Sequence, residues 1–194
     1  MSFLKKLISR HKGSLVGIIT LSSIILITVL APFIAPYSPY EQSSMARLSG
    51  PSYEHPFGGD QLGRDILSRV IYGGRISLRL GVISVGLASI IGVLMGLVAG
   101  YYSGWVDTVI MRFVDAMLAF PGILMALVII AVLGPGIGNV TIAVGIAFIP
   151  PFARLTRGES LSIREELYVE SANACGASDW RIITSHFLPN LVGP

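Results

Sequence analysis

Three stretches without a single Asp, Glu, Lys or Arg dominate this chain: Gly13 to Tyr40, Leu80 to Val106 and Ala116 to Ala153. A helix that crosses a bilayer needs about 20 predominantly apolar residues at 1.5 Å rise each, and each stretch is long enough. A soluble fold would instead need a polar face on every surface element. Charged residues make up 13% of the 194, against about 25% in an ordinary soluble domain. The sequence therefore predicts an all-α membrane protein, a polytopic helical bundle.

Residues 1–12, with Lys5, Lys6, Arg10 and Lys12, read as a cytoplasmic tail, and 13–35 as the first transmembrane helix. The apolar run is too long for a cleaved secretory signal and lacks a small-residue A-x-A site. Pro32, Pro36 and Pro39 end the helix, because proline has no amide donor and restricts the residue before it. Residues 36–76 turn polar and glycine-rich, as an external loop. Within them Ile66, Leu67, Val70 and Ile71 fall on one side and Ser68 and Arg69 on the other, the pattern of a short helix on the membrane surface.

The second span covers 77–101. Ser84, Ala88, Gly92, Gly96 and Gly100 recur along it at every fourth residue, a seam of small side chains that lets another helix approach closely. The last charge-free stretch is too long for one helix and is broken by Gly134-Pro135-Gly136-Ile137-Gly138-Asn139, so spans are predicted at 113–133 and 138–156. Pro121 is expected to kink the first of these, and Pro150 and Pro151 the second. Arg112 and Asp115, three residues apart, are expected to pair at a helix end. Four spans from an inside start place nine of the fourteen Lys and Arg residues in the cytoplasm. The net charge of +3 then serves topology rather than nucleic-acid binding.

Little in the sequence suits catalysis. All three lysines precede residue 13, so no G-x-x-x-x-G-K-[ST] phosphate loop exists elsewhere. Ser2-x-x-Lys5 and Ser9-x-x-Lys12 lack the partner motifs of a penicillin-binding nucleophile. His11, His55 and His186 lie on separate segments, with no metal-ligand spacing. Cys175, the single cysteine, reads as a small helix residue.

The patterned polar segment is 157–190. Glu159 to Cys175 contains helix formers and no proline. Gly176 can close that helix in the left-handed conformation, and Ser178 or Asp179 can cap a second one through Trp180, Ile182, Ile183 and Phe187. Two short helices hinged at a glycine form a compact docking element.

At these residues the chain resembles the permeases of binding-protein-dependent ABC importers, whose cytoplasmic loop reads E-A-A, three residues, G, nine residues, I-x-L-P. Glu170, Ser171, Ala172, Gly176, Leu188 and Pro189 occupy this register, with Ser171 for the first alanine and His186 for the isoleucine. The segment from His55 to Arg69, which contains Gly58, Asp60, Gly63, Arg64, Asp65, Ser68 and Arg69, resembles a motif of the peptide and nickel branch. Gly59 stands there in place of the usual threonine.

The resemblance implies a partial permease domain over 77–194, with four transmembrane helices present of an expected six and a cytoplasmic coupling-helix loop over 157–190. It implies a multi-pass inner (cell) membrane protein, N-terminus in the cytoplasm, carrying short peptides (dipeptide or oligopeptide). The implied partners are a second permease subunit, two cytoplasmic ATPase subunits, an external solute-binding protein and membrane lipid, with no nucleic acid. ATP and Mg would sit on the ATPases, leaving no cofactor, metal or catalytic residue on this chain. Because such permeases continue past the loop, the chain is expected to be truncated at its C-terminus. The alternatives are a secondary transporter driven by an ion gradient, and nickel or glutathione as cargo. On this topology, a cysteine introduced at Glu54 reacts with an impermeant thiol reagent in intact cells and one at Ser178 does not; the reverse pattern contradicts the orientation.

Overall fold

The computed structural model describes residues 12–191, so most of the expected tail over 1–12 lies outside the described residues. Regular structure among them is helical, apart from one isolated antiparallel bridge between Gly59 and Asp65. The helices are α1 (Lys12–Val29), α2 (Ala31–Ile34), α3 (Ile66–Tyr102), α4 (Gly104–Leu118), α5 (Gly122–Leu133), α6 (Ile137–Arg164), α7 (Leu167–Ala174), α8 (Asp179–Ile182) and α9 (Leu188–Leu191), with a π-helical turn at Ile183–Phe187. The chain divides into two compact units, Met1–Arg79 and Leu80–Pro194.

Several helices end where the sequence did not place them. The span expected at 13–35 is split into α1 and α2, with Pro32 in the first turn of α2, a position where its missing amide costs nothing. The surface helix expected near Asp65–Tyr72 is not separate, since α3 runs unbroken for 37 residues. At 1.5 Å per residue it is roughly 55 Å long, well beyond the ~30 Å hydrocarbon core. Gly73 and Gly74 do not interrupt it, and a Cβ built on Gly74 would lie 2.3 Å from Thr28 Cγ2, so this glycine admits the end of α1.

The span expected at 113–133 is a pair of helices, α4 and α5, bent by 87°. Pro121 flanks the break, immediately before α5. The span expected at 138–156 is α6, which extends to Arg164 through Pro150 and Pro151. The single helix expected over Glu159 to Cys175 is interrupted at Glu165 and Glu166, between α6 and α7. By length and composition α3 and α6 can each cross a membrane, α4 and α5 can do so as a bent pair, and Leu15–Val29 forms a shorter apolar helix.

In the second unit α3 and α6 meet along the predicted small-residue seam. Ser84, Ala88, Gly92, Gly96 and Gly100 are all buried. Facing them on α6 are Thr141, Gly145, Ile149, Ala153, Thr156 and Ser160, also buried. A Cβ on Gly92 would stand 2.8 Å from the Ile149 carbonyl oxygen, one on Gly96 2.4 Å from that of Ala153, and one on Gly100 2.4 Å from Ser160 Cβ. The Ser84 hydroxyl donates across the seam to the Thr141 carbonyl at 2.8 Å. Such proximity supplies the dispersion contacts that replace the hydrophobic drive inside lipid.

Two ion pairs join α4 to α6. Arg157 grips Asp107 through Nε and Nη2 at 2.5 and 2.6 Å, and Arg154 Nη2 reaches Asp115 at 2.6 Å. Asp115 therefore pairs with Arg154 rather than with Arg112, its expected partner. The Arg157–Asp107 pair uses the fork geometry of guanidinium on carboxylate, whereas Arg154 makes a single bond.

If the seam fixes the second unit, Gly96→Leu lowers its stability by about 2–3 kcal/mol through overpacking. Gly86→Leu, where an added Cβ meets nothing within 4 Å, is close to neutral. Unfolding by SDS followed by circular dichroism distinguishes the two, and equal midpoints contradict the packing.

Candidate functional site

The segment after α6 folds as a small hairpin. Glu165 and Glu166 end α6 and start α7, and Gly176, at φ +78°, turns the chain toward α8. Only glycine adopts that conformation without steric cost. The Gly176 amide donates to the Asn173 carbonyl at 2.9 Å, and the Ala177 amide to that of Ala172 at 3.1 Å, closing α7 in the manner of a glycine C-cap. Ser178, extended, precedes α8 as its N-cap residue, although its side chain makes no capping bond.

The hairpin has a core of its own. Val169, Ile182 and Phe187 are fully or almost fully buried, together with Leu97 of α3 and Ile163 of α6; Tyr101, Ala172, Ala177, Ile183 and Leu191 pack around them. The π turn makes this possible, because its i→i+5 bonding brings residues five apart, Ile182 and Phe187, onto one face. Phe187 meets Tyr101 edge-on at a centroid distance of 5.2 Å, a favoured aromatic geometry.

The expected docking residues divide between two sides of this element. Glu170, Ser171, Gly176, Leu188 and Pro189 are exposed, whereas Ala172 is half-buried against the hairpin core. A much larger side chain at Ala172 would therefore disturb the hairpin core as well as any outer contact. The outer face also presents Leu167, 77% exposed, and Trp180, 76% exposed, an aromatic that the motif spacing alone did not single out. Cys175, expected as a small helix residue, is exposed at the C-cap of α7. Val169, almost fully buried within α7, was not singled out from the sequence.

Sequence reasoning also missed a polar bond between hairpin and helix. Asp179, the first residue of α8, accepts a hydrogen bond from the Tyr101 hydroxyl at 2.9 Å on one oxygen and from the Tyr102 hydroxyl at 3.1 Å on the other.

In the first unit, the motif residues over 55–69 knit the loop to the start of α3. Asp60 Oδ1 accepts the amides of Leu62 and Arg64 at 2.8 and 2.9 Å, and Oδ2 accepts Arg64 Nε at 2.8 Å. Arg69 Nε lies 3.6 Å from the same oxygen. The Arg64 amide leads the bonds that hold the Asp60 carboxyl below its usual pKa. Asp65 accepts the Ser68 amide at 2.7 Å and His55 Nδ1 lies 3.0 Å from its other oxygen, so it caps α3. Its burial would raise the pKa, but the Ser68 and His55 hydrogen bonds outweigh burial and lower it. Ser68 Oγ in turn accepts the Tyr37 amide at 3.1 Å.

Gly58 and Gly63 have φ of +76° and +73°, and added Cβ atoms would strike the carbonyl oxygens of Ser49 and Ser43. Gly59 is equally confined, against the Ala46 carbonyl oxygen, so a threonine there requires the 43–49 backbone to sit differently. The arrangement is that of a loop scaffold, and no group of three or more His, Cys, Asp or Glu residues able to hold a metal occurs among the described residues.

Comparison with known proteins agrees with this architecture. Residues 92–194 match the family described as binding-protein-dependent transport system inner membrane component. Residues 6–51 match the N-terminal TM domain of oligopeptide transport permease C. The dipeptide transport system permease protein of Alkalihalophilus pseudofirmus is 46% identical over 189 residues, 97% of this chain and 62% of that protein. A glutathione transport system permease protein of Pectobacterium atrosepticum is 44% identical over 191 residues, 98% and 63% of the two chains. One from Escherichia coli is 50% identical over 170 residues, 87% and 56%. The chain thus spans less than two thirds of the length of these relatives. The family match covers the seam from Gly92 onward, both α4–α6 ion pairs and the whole hairpin: the chain belongs to the binding-protein-dependent transport system inner membrane components.

Proposed function

We propose that this chain is a permease subunit of an ABC importer, forming part of a pathway for short peptides across the cytoplasmic membrane. The observation that carries the proposal is the hairpin over 165–191. Its core is anchored to Leu97 and Ile163 at the ends of two membrane-type helices, while its outer face displays Glu170, Leu167 and Trp180. An exposed, aromatic-bearing element rigidly joined to a bundle suits the docking of a separate subunit.

On this reading two cytoplasmic ATPase subunits take the hairpins of this chain and of a second permease, and bind the ATP and Mg. An external solute-binding protein delivers cargo to the opposite side. The hairpin must face the cytoplasm, where the ATP is. With α1, α3, the α4–α5 pair and α6 each crossing once, the N-terminus lies on the same side and the Asp60–Asp65 loop outside. Relatives named for dipeptide and for glutathione transport share a small zwitterionic peptide as cargo, which favours that class over nickel. Alternating access then follows from closure of the ATPases moving the docked hairpins.

Gly176 tests the proposal, since a Cβ there meets no atom within 4 Å and acts through φ alone. In the full-length chain assembled with its partners, Gly176→Val disfavours the turn by about 1–2 kcal/mol and lowers ATPase retention and peptide uptake in proteoliposomes. Gly176→Asn, which tolerates positive φ, preserves most of both. Reversing the exposed charge with Glu170→Arg lowers retention without loss of membrane insertion. Wild-type retention and uptake in Gly176→Val and Glu170→Arg together would remove the docking role.

A further inference from the structure

The hairpin touches α3 through two kinds of contact, and they differ in what they transmit. Leu97, Ile163, Val169, Ile182 and Phe187 form an apolar cluster, and apolar contact is non-directional. It holds the hairpin against the helices and lets it slide. The bonds from Tyr101 and Tyr102 to the two oxygens of Asp179, at 2.9 and 3.1 Å, are directional. The two rings stand edge to face, at 88° and 4.9 Å between centroids, so each hydroxyl approaches the carboxylate from its own direction. Among the described residues these are the only side-chain hydrogen bonds or ion pairs between the 165–191 segment and the membrane-type helices.

Position gives the contact its consequence. Asp179 is the first residue of α8, three residues after the Gly176 turn and beside the exposed Trp180. Tyr101 and Tyr102 are the last two residues of α3, directly after Gly100, which abuts Ser160 of α6. A push on the outer face of α8 therefore reaches the end of α3 through one carboxylate, and reaches α6 through the seam. Because a hydrogen bond is lost beyond about 3.5 Å, a shift of α8 by as little as ~1 Å either breaks the pair or carries α3 with it.

We infer that Tyr101, Tyr102 and Asp179 form a strut that converts displacement of the docked hairpin into movement of α3, as positioning residues for transport. The inference rests on the proposed role of the hairpin as the ATPase contact.

The test uses the full-length permease in the assembled transporter, reconstituted in proteoliposomes, with peptide moved per ATP hydrolysed as its readout. Asp179→Ala and the Tyr101→Phe/Tyr102→Phe pair keep the ATPases bound and hydrolysing. They reduce peptide moved per ATP by about tenfold, the scale of one lost charge-assisted hydrogen bond. Asp179→Asn, which keeps one acceptor oxygen, falls between them and the wild type. Combining Asp179→Ala with the tyrosine pair adds no further loss, as expected for partners in one interaction. A wild-type ratio in Asp179→Ala and in the tyrosine pair overturns the strut. So does loss of the ATPases from the purified complex, because the three residues would then be shaping the docking surface. Gly176→Val and Glu170→Arg separate the two levels: if both leave ATPase retention and uptake unchanged, the docking role itself fails, whereas impaired uptake in them with unaffected strut variants defeats the strut alone.

Discussion

The near-contact of the α3 and α6 backbones carries the second unit. At Gly92, Gly96 and Gly100 a single added carbon would meet the facing helix inside van der Waals distance, and lipid offers no hydrophobic penalty to hold two helices together otherwise. Close approach is what makes dispersion sufficient, aided by one hydroxyl bond from Ser84 to the Thr141 carbonyl. Once these helices are fixed, the positions of Leu97 and Ile163 are fixed with them, and the hairpin has a floor on which to fold. The ion pairs Asp107–Arg157 and Asp115–Arg154 then tie α4 to the same helix.

Much of this was legible in the sequence because it depends on residue size and charge at regular spacing. The seam on α3 was visible from Ser84 to Gly100, since period-four small residues have few explanations in an apolar helix. The hinge at Gly176 was visible because positive φ is costly for other residues. What could not be read was any feature set by partners distant in the chain. Asp115 takes Arg154 instead of nearby Arg112, because the fold brings a better-placed guanidinium across from α6. Likewise the continuity of α3 through Gly73 and Gly74 depends on Thr28 arriving from α1, which no local propensity encodes.

The hairpin illustrates the same limit at smaller scale. A count at 3.6 residues per turn finds Ile182 and Phe187 on different faces, yet both are fully buried, because the chain widens into a π turn between them. Such turns often occur at functional positions, and here one lets a short segment close its core while leaving Trp180 exposed. The first-unit motif behaves oppositely: Asp60, Asp65 and Ser68 spend their hydrogen bonds on the loop and the start of α3. Their placement is explained by capping and turn geometry.

The proposed coupling requires that an ATPase subunit cover the outer face of the hairpin. Cys175 is exposed at the turn between α7 and α8 and is the single cysteine of the sequence, so it reports from the surface in question. With other thiols of the purified transporter replaced, a short thiol-to-amine crosslinker on Cys175 is predicted to capture the ATPase subunit, and assembly to shield the thiol from a water-soluble maleimide. Free labelling of Cys175 in the intact complex, with no crosslink to the ATPase, would contradict the account.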